Sequence, residues 1–355
     1  MMKNIQQFFK PVLFTLILCI LVFVFIEGLL STIIVLRDVF KPVSLVSEAA
    51  YTKYDELLGW VNTPNLEIKD KYGSGVYLKT NSQGFRNDHD FGVKVPKEKI
   101  RVICSGDSFT FGFGVSNEQT WCQQLVSLDR RLETLNLGQG GYGIDQAYLW
   151  YMRDGKKFEH NIHIFAFITD DFYRMYTEYY GGKPVLKLVN GKLEAHNVPV
   201  SKYHYLFPKL SEQVERFKQL RFYEFFKRIG KKMSLIRHER TLASRSNIQE
   251  VTLKIFETLH YVNKKKGSTL VLVSLPEYEE CFSDSESLRK WRMWLSTEMA
   301  KRGILFIDLI DEFKGLTATE LTSLYNKKDW HFSEKGNEFV ARVLYKKIVS
   351  YGLVK

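Results

Sequence analysis

The stretch Ile162 to Ile168 (IHIFAFI) is apolar at every position but His163. A strand of this kind has no polar face to offer water, so it must be covered on both sides, as in a parallel sheet flanked by helices. From Lys99 onward the sequence repeats that theme: Ile100 to Cys104, Leu135 to Leu137, Leu270 to Leu275 and Ile304 to Ile307 read as further strands. Helical patterns run between them. One is capped by Ser116 or Asn117 and continues to about Arg131; others cover Ile144 to Arg153, Ile248 to Asn263, Ser285 to Lys301 and, closing the chain, Glu334 to Tyr351. Five short strands separated by helices predict the α/β fold class, with a doubly wound, mainly parallel five-stranded sheet.

Between the third and fourth strands the alternation stops. "VLKLVNGKLEAHNV" reads as two strands about Asn190-Gly191, the strongest short hairpin signal, and a helix is expected from Leu210 to Ile229. Residues 172 to about 245 therefore read as an insertion in a domain of residues 99–355, and the loop-rich segment 42–98 is expected to pack on that domain. At the other end, Phe8 to Leu36 is apolar apart from Lys10, Glu27 and a few small polar residues. About 20 such residues suffice for a transmembrane helix. Leu29-Leu30-Ser31 lacks the small-residue pattern of a cleavage site, so residues 1–41 are expected to form a short N-terminal stub and an uncleaved membrane anchor. Lys3 and Lys10 before the run and Arg37 and Lys41 after it are nearly balanced, and charge does not set the orientation.

Composition narrows the partners. Lys and Arg number 51 against 40 Asp and Glu, a net charge of +11, but clusters such as Lys264-Lys265-Lys266 and Lys227 to Arg240 are scattered and match no zinc-finger or RNA-binding spacing. They read as solvated faces, with no nucleic acid as partner. The cysteines form no CxxC or Cys/His spacing: Cys19 lies in the apolar run, Cys104 in a core strand, Cys122 in a helix and Cys281 in a loop. Structural thiols and no metal are the expectation.

In doubly wound sheets, ligands bind at the carboxyl ends of the strands. Four polar blocks fall there: Ser108 after the first strand, "NLGQGGYG" (Asn136 to Gly143) after the second, "TDD" (Thr169 to Asp171) after the third, and "DWHFSEKG" before the closing helix. A serine hydroxyl becomes a nucleophile when a base takes its proton and a third group orients that base. His331 is the natural base for Ser108, and Asp329, two residues earlier, can hold its other nitrogen. Gly138, Gly140 and Gly143 also satisfy G-x-G-x-x-G, but in the second βα unit instead of the first. The next acidic residue, Asp170, lies about 30 residues on where about 20 is usual, which disfavours a dinucleotide cofactor. No G-x-S-x-G surrounds Ser108, so this is not an α/β-hydrolase elbow.

"GDSFTFGFGV", "NLGQGGYGIDQ" and "DWHFSEKGNEFVA" together resemble the SGNH/GDSL hydrolase superfamily in order and spacing. "LGWVNTPN" and "TNSQGFRND" resemble segments of its membrane-anchored, extracytoplasmic bacterial members. The resemblance implies an SGNH/flavodoxin-like fold in which Ser108 is the nucleophile, His331 the base and Asp329 its orienting partner. It implies an oxyanion hole built from the N–H groups of Ser108 and Gly141 and a third-block side chain. That third position departs from the family: "ITDDF" puts Asp170 where a Gly-Asn-Asp pattern supplies an amide donor. An ionised aspartate only accepts hydrogen bonds, and losing one such donor costs about 10²–10³ in rate. A carboxyl kept protonated by an apolar enclosure, or the Thr169 hydroxyl, are the substitutes on offer. The implied activity is a serine esterase cleaving O-acyl esters such as O-acetyl groups, with a cell-envelope glycan as the expected carrier, no cofactor and no metal. The implied location of the catalytic domain is extracytoplasmic, periplasmic or at the cell surface, with the N-terminal stub cytoplasmic. Two alternatives keep the same blocks: an O-acyltransferase to polysaccharide, and a degenerate domain that binds without catalysis.

Overall fold

The computed structural model of the chain describes residues 2–40, 51–175, 182–202, 242–283 and 285–354. The helix expected from Leu210 to Ile229 and the basic cluster from Lys227 to Arg240 lie outside the described residues. The chain divides into two compact units, one carrying the N-terminal helix and the other Glu48–Tyr205 with Ala243–Lys355.

In the first unit, α1 (Met2–Phe40) is a single helix with Pro11 near its start. Its segment Leu13–Ile33 has a mean hydropathy of 2.8 over 21 residues, long and apolar enough to cross a membrane. Glu27 in this run accepts a hydrogen bond from the Ser31 hydroxyl one turn on, at 3.5 Å.

The second unit is built on β5 (Ile100–Gly106), β6 (Leu132–Gly138), β7 (Ile162–Phe167), β10 (Thr269–Ser274) and β11 (Leu305–Asp308). They form one five-stranded sheet in the order β6-β5-β7-β10-β11, and every neighbouring pair is parallel. The doubly wound sheet expected from the sequence is present. Two of the helices around it are α4 (Ile144–Arg153) and α6 (Leu242–Lys265). Others are α8 (Glu286–Lys301) and α11 (Glu334–Ser350). The fully buried strand β7 explains itself: Phe165 and Phe167 belong to one core with Val251, Ile255, Phe256 and Leu259 of α6, and Ile162, Ile164 and Ala166 to the other with Val340, Ala341 and Leu344 of α11. His163, the polar exception, is buried against Ser105 Oγ at 2.9 Å and Asn263 Nδ2 at 3.1 Å. Burial, with His160 adding to it, pushes its pKa well down, so it sits in the core as a neutral ring.

Some boundaries shift for identifiable reasons. The helix expected from Ser116 to Arg131 is a 3-10 turn over Asn117–Gln119 followed by a separate α3 (Trp121–Leu128), because the Thr120 hydroxyl caps a new start by accepting from the Gln123 amide. Cys281, expected in a loop, lies in the short helix α7 (Tyr278–Phe282), while Cys104 and Cys122 are buried in β5 and α3 as expected. The Asn-Gly hairpin forms between β8 (Val185–Val189) and β9 (Lys192–His196). Asn190 and Gly191 sit at φ 51° and 74°, the left-handed pair of a tight two-residue turn. Just before it, Lys183 forms a fully buried ion pair with Asp145 of α4 at 2.8 Å.

The segment before the sheet packs on it through two short antiparallel pairs, β1 (Thr52–Asp55) with β2 (Gly59–Asn62) and β3 (Glu67–Ile68) with β4 (Leu78–Lys79). Trp60 Nε1 donates to the Gly140 carbonyl at 3.0 Å, and the Tyr142 hydroxyl donates back to the Trp60 carbonyl at 2.5 Å. This segment thus grips the second-block glycine loop.

The strand order reverses direction between β5 and β7, and such a switch point opens a crevice at the carboxyl edge. Over it lies α2 (Ser108–Phe111), a single turn set very close to the sheet. A Cβ on Gly138 would stand 2.1 Å from the Phe111 nitrogen, and one on Gly106 2.5 Å from the Ala166 carbonyl oxygen. The first glycine of the G-x-G-x-x-G pattern is therefore required by packing against α2. Gly138→Ala should destabilise the full-length chain in detergent by about 1–3 kcal/mol, the usual cost of overpacking, seen as a lower urea midpoint with an unchanged slope. An unchanged midpoint would mean that α2 can retreat freely.

Candidate active site

Ser108 opens α2 immediately after β5, and the Asp107 carboxylate caps the turn by accepting from the Phe109 amide at 2.9 Å. The turn ends at Gly112 with φ 83°. Its far side is fixed by Arg86, fully buried, whose guanidinium donates to the carbonyls of Phe111 (2.7 Å), Gly112 and Val115. Its Nε donates to Asn117 Oδ1 at 3.0 Å. The "SQGFRND" stretch thus holds the loop that follows the serine.

The three residues singled out by chemistry converge. His331 Nε2 lies 2.8 Å from Ser108 Oγ, and His331 Nδ1 lies 3.3 Å from Asp329 Oδ1. With the ring proton assigned to Nδ1 toward the carboxylate, Nε2 is left to accept from the serine hydroxyl. The imidazole is also held sideways, between Phe109 and Phe113 at ring-centroid distances of 4.9 and 4.8 Å. A tight turn supplies the Asp-x-His geometry: Asn326 N donates to His331 O at 2.7 Å, Trp330 N to Asn326 O at 2.8 Å, and His331 N to Asp329 Oδ1 at 3.1 Å. Partial burial pushes the Asp329 carboxyl up. The bonds it accepts from the His331 ring and amide outweigh that and hold it below its ordinary value.

The expected oxyanion-hole residues divide. Ser108 is the first residue of α2, so its amide has no acceptor within the helix. Gly141 has φ 75°, and among the described residues its amide makes no backbone hydrogen bond. Asp170, in the first turn of α5 (Thr169–Arg174), is solvent-exposed, so the apolar enclosure that would let a carboxyl serve as donor is not built around it. Thr169 beside it is half-buried.

Two participants escaped the sequence. Arg174 Nη1 lies 2.8 Å from Asp171 Oδ1, 3.3 Å from Asp107 Oδ2 and 3.2 Å from the Tyr142 carbonyl, tying three of the blocks together. Its one visible signal was the i,i+3 spacing from Asp171. Asp171 is buried, and burial with the Asp107 carboxylate pushes its pKa up against the pull of Arg174. Glu277 follows β10 as Asp170 follows β7, and residues Ser274 and Phe167 pair in the sheet. Burial, then the Asp170, Glu280 and Asp107 carboxylates, raise Glu277 from 4.5 to about 8. No local motif marks Glu277, because apart from Glu280 the carboxylates that act on it, Asp170 and Asp107, follow other strands. Among the described residues no cluster of His, Cys, Asp and Glu has the arrangement of a metal site.

No protein-family profile matches the sequence, and no curated protein matches it. Solved structures with a similar fold include a member of the lipolytic protein G-D-S-L family from Veillonella parvula DSM 2008, 12% identical, covering 71% of this chain and 97% of that one with a TM-score of 0.39. The acetyl xylan esterase AlAXEase is 14% identical, covering 70% and 100%, with a TM-score of 0.43. The lipase/acylhydrolase from Enterococcus faecalis is 12% identical, covering 70% and 95%, with a TM-score of 0.38.

The Glu277 shift has a definite sign. A folded-state value of about 8 against an ordinary 4.5 means that the folded chain holds this proton more tightly than the unfolded chain. The resulting stability is complete below the ordinary value and is lost as pH rises through about 8. Glu277→Gln cannot ionise, so its melting temperature should fall less between pH 5 and pH 9 than that of the wild type. Parallel melting curves for the two chains would show that Glu277 is not held protonated.

Proposed function

We propose that this chain is a serine esterase of the SGNH/GDSL type, cleaving O-acyl esters through an acyl-enzyme on Ser108. The observation that carries this reading is the 2.8 Å contact between Ser108 Oγ and His331 Nε2, with Asp329 at 3.3 Å on the other ring nitrogen. His331 takes the serine proton as Oγ attacks the ester carbonyl carbon, and Asp329 stabilises the imidazolium that forms. The amides of Ser108 and Gly141 receive the developing oxyanion. Collapse breaks the C–O bond to the alcohol, which leaves with the proton from His331. Water, deprotonated by the same ring, then attacks the acyl carbon and frees Ser108.

The ester we favour is an O-acetyl group on a cell-envelope glycan. The similar fold of an acetyl xylan esterase is in keeping with this, and α1 supports a single membrane anchor at that location. The membrane through α1 and an acylated glycan or small ester are then the partners, with the catalytic domain extracytoplasmic. Neither a metal nor an organic cofactor enters any step.

Hydrolysis of p-nitrophenyl acetate by the full-length chain in detergent tests the chemistry. Ser108→Ala should lower kcat by about 10³-fold or more, and the wild type should show a mass increase of one acetyl group on the peptide bearing Ser108. Equal rates in wild type and Ser108→Ala would overturn the reading. Asp170→Asn should raise kcat by up to about 10²-fold by restoring a side-chain donor. A slower Asp170→Asn would mean that Asp170 has a positive role in the reaction.

A further inference from the structure

We propose that Trp330, stacked on Tyr278, is a platform for a sugar ring of the alcohol part of the ester, making the natural substrate an O-acylated glycan. This deepens the esterase reading and rests on it.

The first observation is backbone conformation. Trp330 has φ 59°, in the left-handed region that a bulky side chain adopts only at a cost and that glycine adopts freely. Residues held in that region are concentrated at functional sites, where the surrounding structure keeps them. The second observation is exposure. The indole stacks on Tyr278 with ring centroids 4.1 Å apart and planes 19° apart, yet Trp330 remains 40% exposed. The fold thus keeps a strained residue that is stacked on one neighbour and still leaves part of its surface open to solvent.

The third observation is position. Trp330 stands between Asp329 and His331, so the platform lies one residue from the ring that returns a proton to the departing alcohol. Its partner Tyr278 directly follows Glu277 at the carboxyl edge of the sheet. From Tyr278 the surface runs into a polar recess: the Tyr278 hydroxyl is 3.4 Å from Thr322 Oγ1. Thr322, with Ala318, Thr319, Ser323 and Lys327, lines a space of about 500 Å³. An aromatic face beside hydroxyl and ammonium groups suits a pyranose, which has an apolar C–H face and a polar rim. A long alkyl or acyl chain offers no polar rim to the hydroxyls and the lysine that, with Ala318, line this recess.

The test compares wild type, Trp330→Gly and Trp330→Phe as full-length chains in detergent. The probes are O-acetylated cellotetraose and chitotetraose, with ethyl acetate as an ester without a sugar and dodecyl acetate as one with an alkyl chain. Calorimetric titration with the unacetylated tetrasaccharides reads binding directly. For Trp330→Gly, we expect KM for a sugar ester to rise and its kcat/KM relative to ethyl acetate to fall by about tenfold or more. Tetrasaccharide binding should weaken in parallel, and Trp330→Phe, which keeps an aromatic ring at this position, should recover most of it. An unchanged ratio with unchanged binding would overturn the proposal, as would an equal loss on ethyl acetate, which would make Trp330 a mere spacer of the Asp329–His331 turn. A Trp330-dependent preference for dodecyl acetate would replace the sugar by an alkyl chain. Failure of the esterase reading looks different: the wild type then turns over none of the esters, while tetrasaccharide binding still reports on the platform.

Discussion

The placement of Ser108 depends on one close approach, that of α2 to the carboxyl ends of β5 and β6. Gly106 and Gly138 permit it, since a Cβ on either would fall within bonding distance of neighbouring backbone or side-chain atoms. That approach turns the chain sharply enough for Ser108 to face His331 and not to continue the strand. It also leaves the Ser108 amide at the start of a helical turn, unbonded within it. The hydroxyl's direction and the amide's availability are two results of one packing constraint.

Arg86 makes the constraint hold from the other side. A fully buried guanidinium that ends on the carbonyls of Phe111, Gly112 and Val115 and the Asn117 side chain spreads its charge over several dipoles. Burial lowers its pKa, yet an arginine stays charged across the physiological range. Truncating it would strand those acceptors in the interior, and a buried acceptor left unpaired costs about 1–3 kcal/mol. The loop-rich segment before the sheet is therefore a working part of the nucleophile turn. Trp60 does the same for the second block by fixing the Gly140 carbonyl.

The sequence made the sheet legible because its strands are buried on both faces and read as continuous apolar runs, with β7 the clearest. Helix ends were less legible where two capping residues compete: Ser116 begins a 3-10 turn, and Thr120, four residues on, begins the true α3. The convergence of Ser108, Asp329 and His331 was readable because a serine, an aspartate and a histidine sit in short, chemically distinctive blocks at strand ends. Arg174 and Glu277 were not, since each takes much of its meaning from residues that follow other strands. Trp330 was visible only as a letter within "DWHF"; its left-handed backbone and its exposure are properties of the folded turn.

The carboxyl edge is crowded with acids. Asp107, Asp170, Asp171, Glu277 and Glu280 lie near one another; Arg174 is bonded to Asp107 and Asp171, and Arg292 to Glu280. In the proposed reaction an oxyanion forming at Ser108 would add a further negative charge, and each ionised neighbour would oppose it. The structure answers part of that burden by proton uptake. With a value of about 8, Glu277 carries its proton in roughly nine molecules of ten at pH 7. The same crowding that raises Glu277 thus removes one charge from the edge at neutral pH. In the proposed reaction the backbone amides of Ser108 and Gly141 would be the oxyanion donors, working beside an edge that carries one negative charge fewer at neutral pH.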